Sequence, residues 1–472
     1  MAPPPQEKIH RTWLHSDGLV PSRFVRPVLE FTRVEAAGGI VLLIAAVVAL
    51  VWANSPWYES YFRLFNSHIE LGGWIIHIDE SFKHIINDGL MAIFFFVVGL
   101  EIKRELVVGE LNSVQRASGP TIAALGGMIV PALIYVAFAI NASDPDAIQG
   151  WGIPMATDIA FSLGVVALLG SRVSVGAKLF LLALAIVDDI GAILVIAVFY
   201  TENLSIAWLA VAFGLLVLTH VVKRAGVVAL PVYIGIGFFV WYAFLESGVH
   251  ATIAGVILGL MTPVYATYTD EEFRQKAQQV LDRWDSNRAS PHAGERLDQD
   301  ALELAAVANA SVSPLNRLEH TLHPWSSFLI VPLFALANAG VRFVGAEEGL
   351  VDQFLSPVAL GVMVGLAVGK PLGVTVATWI GVKLKICVLP PRTTMRTIVG
   401  IGALAGIGFT VSLFITELAF RESLLADEAK LGIFVGSAVA GLIGFLILRM
   451  QRTEQESFTE AADHLAEAAE ST

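Results

Sequence analysis

The sequence predicts an all-α polytopic membrane protein: twelve transmembrane helices with inverted-topology repeats, two crossing broken helices and a small extracytoplasmic β-hairpin. Three observations carry this. Of the 472 residues, 55% are hydrophobic and only 15% charged, and the mean hydropathy is +0.68, a membrane composition rather than a soluble one. The apolar residues fall in runs long enough to cross a bilayer, since about 20 helical residues at ~1.5 Å each span a hydrocarbon core of ~30 Å. Two of those runs are interrupted in comparable places in the two halves of the chain.

Taken in order, the runs bounded by charge, Gly or Pro place spans at 35–54, 84–106, 118–140, 151–170, 175–200, 205–222, 228–246, 248–263, 325–341, 356–380, 397–420 and 430–449. Residues 1–34 lack the continuous apolar core of a secretory signal, so they read as a cytoplasmic arm ahead of an uncleaved first anchor. Putting the N-terminus inside and alternating leaves 24 of the 30 Lys and Arg in inner segments and 5 in outer ones. That bias sets both termini on the cytoplasmic side of the membrane. The remaining basic residue is Lys370, inside the tenth span.

Between the first two spans, His68–Ser81 alternates apolar and polar residues around Gly72-Gly73 and reads as a β-hairpin, about 66–81. An isolated hairpin is marginal, so it is expected to pack on something, such as the same hairpin of a second subunit. The segment 264–316 reads as a cytoplasmic insertion between spans 1–8 (35–263) and spans 9–12 (317–449). It holds one amphipathic helix, with Phe273, Ala277, Val280, Leu281 and Trp284 at helical spacing. The tail 450–472 is acidic. The net charge of −12 collects in this insertion and tail, a solvated face, and nothing points to nucleic-acid binding. The lone Cys387 excludes an intrachain disulfide framework.

In the fourth span Gly152 and Pro154 stand just ahead of Thr157 and Asp158. In the eleventh, Gly406 and Gly408 stand just ahead of Thr410. Matching spans 3–5 to 10–12 sets the two breaks opposite each other, and because the two sets start in opposite directions the repeat is inverted. Paired interrupted helices point to a midplane binding site of a secondary transporter. Broken backbone at that depth must be buried or line a cavity.

Into this frame fall the ionisable residues. Asp188 and Asp189 lie mid-way along an apolar run, Asp158 lies beside Thr157, and Lys370 sits between Gly369 and Pro371. A mid-membrane carboxylate costs roughly 2.5–3.5 kcal/mol on insertion scales, so such residues mark ion or proton pathways by default. Adjacent helical residues point ~100° apart, so the two aspartates are expected to have different partners. One takes a salt bridge to Lys370 and the other faces a water-filled cavity. Thr157, Asp158 and the Gly406–Thr410 break would surround the cavity carboxylate. Carboxylates with a hydroxyl and free carbonyls suit a hard cation such as Na+. Protons and Na+ then compete for the same oxygens, which under alternating access gives obligatory exchange.

The segments ATDIAFSLG, ALAIVDDIGAI, GLAVGKPLG and GIGFTVSLFI resemble the signature segments of the NhaA family of Na+/H+ antiporters. NDGLMAIFFFVVGLEIKREL, SGVHATIAGVI and LEHTLHPW are similar to that family as well. The likeness covers nearly all of 35–263 and 317–449. It implies that Asp188 and Asp189 carry Na+ or Li+ and protons, that Thr157 and Asp158 support the broken-helix region, and that Lys370 pairs with Asp188. It implies electrogenic, pH-regulated exchange, residence in the cell inner membrane and a homodimer joined partly through the hairpin. It also maps pH regulation onto Glu101, Arg104, Glu105, Glu319, His320 and His323.

Read bottom-up, Glu101–Glu105 is also an ordinary charged span end. His320 and His323 stand beside the carboxylate Glu319 and belong to the residue type whose ordinary titration falls near neutral pH; their i, i+3 spacing also suits a metal, with no further ligand evident. His250 at a helix start reads as structural, and Asp88 lies near the outer end of its span. No cofactor is expected and the chain does not read as an enzyme. An intramembrane aspartyl hydrolase needs two carboxylates sharing a proton, which leaves Lys370 without a role. A Na+-coupled symporter of an organic solute shares the architecture. A passive channel fits poorly with a tight, salt-bridged site.

Overall fold

The computed structural model describes residues 37–451, apart from 73–76, 202–203, 228, 289–292, 344–348 and 421–423. The N-terminal arm, the Gly73 side of the hairpin turn and the acidic tail beyond 451 lie outside the described residues. What remains is an all-helical, multi-pass membrane architecture with one two-stranded sheet.

Among the described residues seven helices are long and apolar enough to cross a bilayer: Phe82–Val107, Val114–Ala139, Val175–Phe199, Ile206–Arg224, Leu230–Ser247, Pro357–Lys383 and Leu424–Arg449. Three further pairs qualify jointly but are bent at a short break. Ala37–Ala53 with Tyr58–Phe65 turns by 116°, Pro145–Met155 with Ile159–Arg172 by 41°, and Met395–Ala405 with Phe409–Phe420 by 47°. A shorter apolar helix covers Thr252–Met261. The first helix shows why these elements belong in lipid: Leu43, Ile44, Val47 and Val51 are exposed while Ala46, Ala49 and Ala53 are buried. Small residues face the protein and large apolar ones face outward, the pattern of helices packed in a membrane. Gly126 and Gly373 take this furthest, since a Cβ on Gly126 would stand 2.3 Å from the Gly373 carbonyl oxygen. Only bare backbone lets the third and tenth expected spans close to that distance.

The strands His68–Gly72 and His77–Ser81 pair antiparallel, with His68 opposite Ser81 and Gly72 opposite His77. Ahead of them the structure adds a short helix, Tyr58–Phe65, that hydropathy does not reveal. Its Tyr61 hydroxyl reaches the Leu336 and Ala337 carbonyls at 2.8 and 3.0 Å, tying it to the far end of the ninth expected span.

Several boundaries differ from expectation. The ninth helix begins at Pro314 rather than 325, running through Trp325 and a π turn, Ser326–Ile330, into Val331–Asn338. Its first turns carry Asn316, Arg317, Glu319, His320 and His323, polar enough to hide them from an apolar count. The last helix likewise starts at Leu424 instead of 430. The insertion contains two helices where one was expected: Asp270–Asn287, with a Thr269–Glu272 capping box, and Ala293–Ala310. Six of the 18 residues of the second are alanine and Leu302 is exposed, so its periodicity is faint. Asn287 Nδ2 donates to buried Asp300 at 2.7 Å, Arg283 pairs with Glu303, and Val280 and Val307 are buried. The two ends of this hairpin meet, because the Thr267 and Tyr268 amides both donate to the Ala310 carbonyl, at 2.9 and 3.4 Å.

Candidate functional site

The site forms where the two breaks face each other. Pro154, lacking an amide and close to the end of Pro145–Met155, is followed by Ala156–Asp158 in extended conformation before Ile159–Leu169 begins. Opposite, Met395–Ala405 stops at Gly406 and helix resumes at Phe409. A Cβ on Gly406 would stand 2.3 Å from the Leu366 carbonyl oxygen, and one on Gly408 would meet Ser412 Oγ at 2.3 Å. These glycines are therefore places where backbone passes through a crossing too tight for a side chain.

Each break leaves helix-terminal amides and carbonyls that must find partners away from water. They find one another. The Asp158 amide donates to the Ile407 carbonyl at 2.6 Å. Ser162 Oγ donates to the Leu404 carbonyl at 2.8 Å, and Ser412 Oγ to the Ile153 carbonyl at 2.7 Å. One side chain serves both helix starts. Asp158 Oδ1 accepts from the Phe161 amide of its own helix at 3.1 Å; Oδ2 accepts from the Thr410 amide at 3.1 Å and the Thr410 hydroxyl at 2.6 Å. Two positive helix ends converge on one carboxylate.

Asp188 and Asp189 come from the unbroken Val175–Phe199 helix, and both are buried. As expected of neighbours ~100° apart, they meet different surroundings. Lys370, fully buried, donates to Asp188 Oδ2 at 2.6 Å. The Thr157 hydroxyl stands 2.7 Å from the same oxygen and 2.8 Å from the Ala405 carbonyl, so its single proton serves one or the other. This corrects one expectation: Thr157 lies against Asp188 and not against the cavity carboxylate, because the extended residues beside Pro154 turn its side chain to the salt bridge. Likewise Asp158 spends both oxygens on helix ends. Among the described residues Asp188 Oδ1 and Asp189 Oδ1 have no hydrogen-bond partner although both are buried. The charges that bear most on Asp189 are those of Asp188, Glu101 and Asp158, with Lys370 after them. Orphaned buried oxygens among neighbouring carboxylates have the chemistry to take a hard monovalent cation or a proton.

This chain also matches, over residues 29–448, the family model described as Na+/H+ antiporter 1. It is 46% identical over 426 residues to the Na(+)/H(+) antiporter NhaA 2 of Syntrophotalea carbinolica, covering 90% of this chain and 96% of that one. It is 45% identical to the Na(+)/H(+) antiporter NhaA 1 of Klebsiella pneumoniae, over 91% of this chain and 98% of the relative. To the Na(+)/H(+) antiporter NhaA of Koribacter versatilis it is 46% identical, over 90% and 91%. The chain belongs to the NhaA family. NhaA proteins are transporters, not enzymes.

Apart from Glu101, whose charge bears on Asp189, the other residues singled out in this NhaA chain lie away from the crossing. Glu101, Arg104 and Glu105 stand near the end of Phe82–Val107. Arg104 pairs with Glu319 and lies 3.8 Å from Glu105, whose other oxygen accepts the Glu110 amide at 3.0 Å. His320 and His323 are exposed on the same helix as Glu319. No group of three His, Cys, Asp or Glu suited to a metal occurs among the described residues. His250 is 2.7 Å from the Tyr200 carbonyl, and Asp88 is 3.0 Å from His84 Nε2.

Sequence reading missed two features. The hydroxyls of Ser162 and Ser412, which brace the crossing, look like ordinary small residues in apolar runs; their only signal is a position one turn from a break. Glu417 was also overlooked. It pairs with Lys83 at 2.7 Å and Lys430 at 2.8 Å, all three largely buried, and its signal was a single carboxylate in the apolar FITELAF.

Proposed function

We infer that this NhaA-family chain is a Na+/H+ antiporter and that its exchange runs through the Asp188–Asp189 site. The observation that carries the assignment of the site is the buried Asp188–Lys370 pair beside an Asp189 oxygen that has no partner among the described residues. In this reading Asp189 is the principal ligand of Na+ or Li+, with Asp188 joining when the cation arrives. Lys370 neutralises Asp188 while the site is free of cation, so the pair switches between an internal ion pair and a shared cargo. Thr157 holds the Asp188 oxygen in place, and Asp158 with Thr410 keeps the two breaks together. Protonation of the same carboxylates displaces the cation, and alternating exposure of the loaded site makes exchange obligatory. With Asp188 ion-paired to Lys370, one proton rides on Asp189; a second, released from Lys370 as the cation takes over Asp188, sets two protons against a single cation and makes the exchange electrogenic.

The same reading counts twelve spans. Seven long helices and three bent pairs are joined by Thr252–Met261 and by the helix starting at Pro314, with spans 3–5 and 10–12 as inverted repeats. Both termini are cytoplasmic, as the Lys and Arg bias requires, in the cell inner membrane. The insertion 264–316 and the acidic tail then lie on the same side as Glu101, Arg104, Glu105, Glu319, His320 and His323, the proposed pH-regulatory cluster at the inner mouth. Among the described residues the strands His68–Gly72 and His77–Ser81 pair only with each other, leaving outer edges that a second copy can cover, giving a homodimer. Deletion of 68–81 should convert the dimer to monomer on a native gel; an unchanged oligomer would remove the hairpin from the interface.

Everted vesicles containing the protein test the function. Adding Na+ or Li+ should dequench a pH-gradient dye, more strongly at alkaline pH. No response to either ion would overturn antiport for this chain.

A further inference from the structure

Lys370 follows directly on a π-helical turn, Gly365–Gly369, and its amide donates to the Gly365 carbonyl five residues back. An α-helix would have sent that amide to Leu366. After the π step, the next amide in register for the Leu366 carbonyl belongs to residue 371, which is a proline and has none. The Leu366 carbonyl is thus left without an amide donor in its own helix. It is aimed at the broken span, where a Cβ on Gly406 would stand 2.3 Å away. The oxygen therefore packs on the bare Cα of the break, a weak C–H···O contact of the kind that fixes helix spacing.

A π turn inserts one residue, and π insertions recur at functional sites. Everything after it is rotated by ~100° relative to the helix before it, which moves a Cβ by about 5 Å. The preceding segment cannot rotate to compensate, because Pro154 would lie 2.8 Å from a Cβ on Gly365 and Met363 Cα 3.1 Å from one on Gly436. The phase of the turn therefore decides where the Lys370 side chain emerges. It emerges against Asp188, at 2.6 Å and fully buried.

We propose that Pro371 is a positioning residue for Lys370: by withholding an amide from Leu366 it pins the π turn at Gly365–Gly369, and the pinned turn aims the ammonium at Asp188. This rests on the reading that the Asp188–Lys370 pair takes part in Na+ exchange. Pro371→Ala restores the amide and adds a good helix former, so the turn is free to migrate or close. The probe is Na+ itself. Its half-saturating concentration is read from dye dequenching in vesicles and from the Na+-dependent thermal shift of the purified full chain, which needs no transport. Pro371→Ala should move that concentration by about tenfold, the usual cost of losing a group that orients a ligand shell. In a Lys370→Ala background the same substitution should have no further effect, since coupled residues are not additive.

Deletion of Val368, whose side chain is half exposed, removes the inserted residue and leaves Lys370 four residues after Gly365, in ordinary α-helical phase with its direction kept. The deletion should therefore hold half-saturation at the wild-type value, and Pro371→Ala added to it should cost nothing further, which carries the test if Pro371→Ala alone is not recovered. An unchanged half-saturation for Pro371→Ala in the full-length turn, an equal shift in the Lys370→Ala background, or a tenfold shift when Pro371→Ala is added to the deletion overturns the proposal. A wild-type chain that shows no Na+ response by either readout overturns instead the functional reading on which it rests.

Discussion

Asp189→Asn should abolish Na+- and Li+-induced dequenching in everted vesicles while leaving expression and thermal stability at wild-type level or above. The asymmetry between activity and stability follows from the surroundings of the group. Asp189 Oδ1 accepts no hydrogen bond from a described residue, and its strongest neighbours are carboxylates, so neutralising it breaks nothing and relieves repulsion. The cation, however, loses its anionic ligand, and a neutral amide cannot replace that charge. Asp188→Asn should behave differently, losing activity and also stability, because it strands the buried Lys370 ammonium. The measurement is the dequenching amplitude against Na+ concentration, paired with the melting midpoint of each purified variant. A full response from Asp189→Asn would sink the assignment of the site.

Lys370→Met is the second large effect, and it falls on stability. The pair is fully buried on both sides. Removing one partner of such a pair costs about 3–5 kcal/mol, because the other charge is left uncompensated. Thr157 alone remains beside Asp188 Oδ2, and one hydroxyl does not neutralise a carboxylate. The expected result is a clearly lowered melting midpoint for Lys370→Met. Adding Asp188→Asn to the same chain should recover more than half of the loss, since a neutral pair has no stranded charge. Equal midpoints for wild type and Lys370→Met would show that the ion pair contributes nothing to holding the crossing together.

Most of the architecture was legible from hydropathy, because bilayer crossing demands long apolar runs and little else. Its failures share a cause. The helix from Pro314, the start at Leu424 and the helix Tyr58–Phe65 are polar or amphipathic where they leave the apolar layer, so an apolar count cannot see them. The π turns at Ile85–Leu90, Ser326–Ile330 and Gly365–Gly369 are invisible for another reason. They change the phase of a helix without changing its composition.

At the site, charge in an apolar run was enough to single out Asp158, Asp188, Asp189 and Lys370. The ~100° rule was enough to say that the paired aspartates diverge. What could not be read was which group each side chain serves. Thr157 turns to Asp188, and Asp158 caps two helices at once, and both facts depend on how the broken spans cross. Sequence spacing within either span holds no information about that angle.

The closed base of the insertion hairpin has a consequence for how this chain can be handled. Thr267 and Tyr268 share a single acceptor, Ala310, and the two arms between them are held to each other by Asn287, Arg283 and Asp300. Its ends already touch, so the forty-odd residues between them form a cassette that can be exchanged without stretching the helices on either side. A folded reporter whose own termini lie close together fits that geometry. Because Arg317 donates to the Asn309 carbonyl at 3.3 Å, a label placed there would sit within about two helical turns of Glu319, His320 and His323. Movements of that helix during turnover would be read as changes in the label's signal.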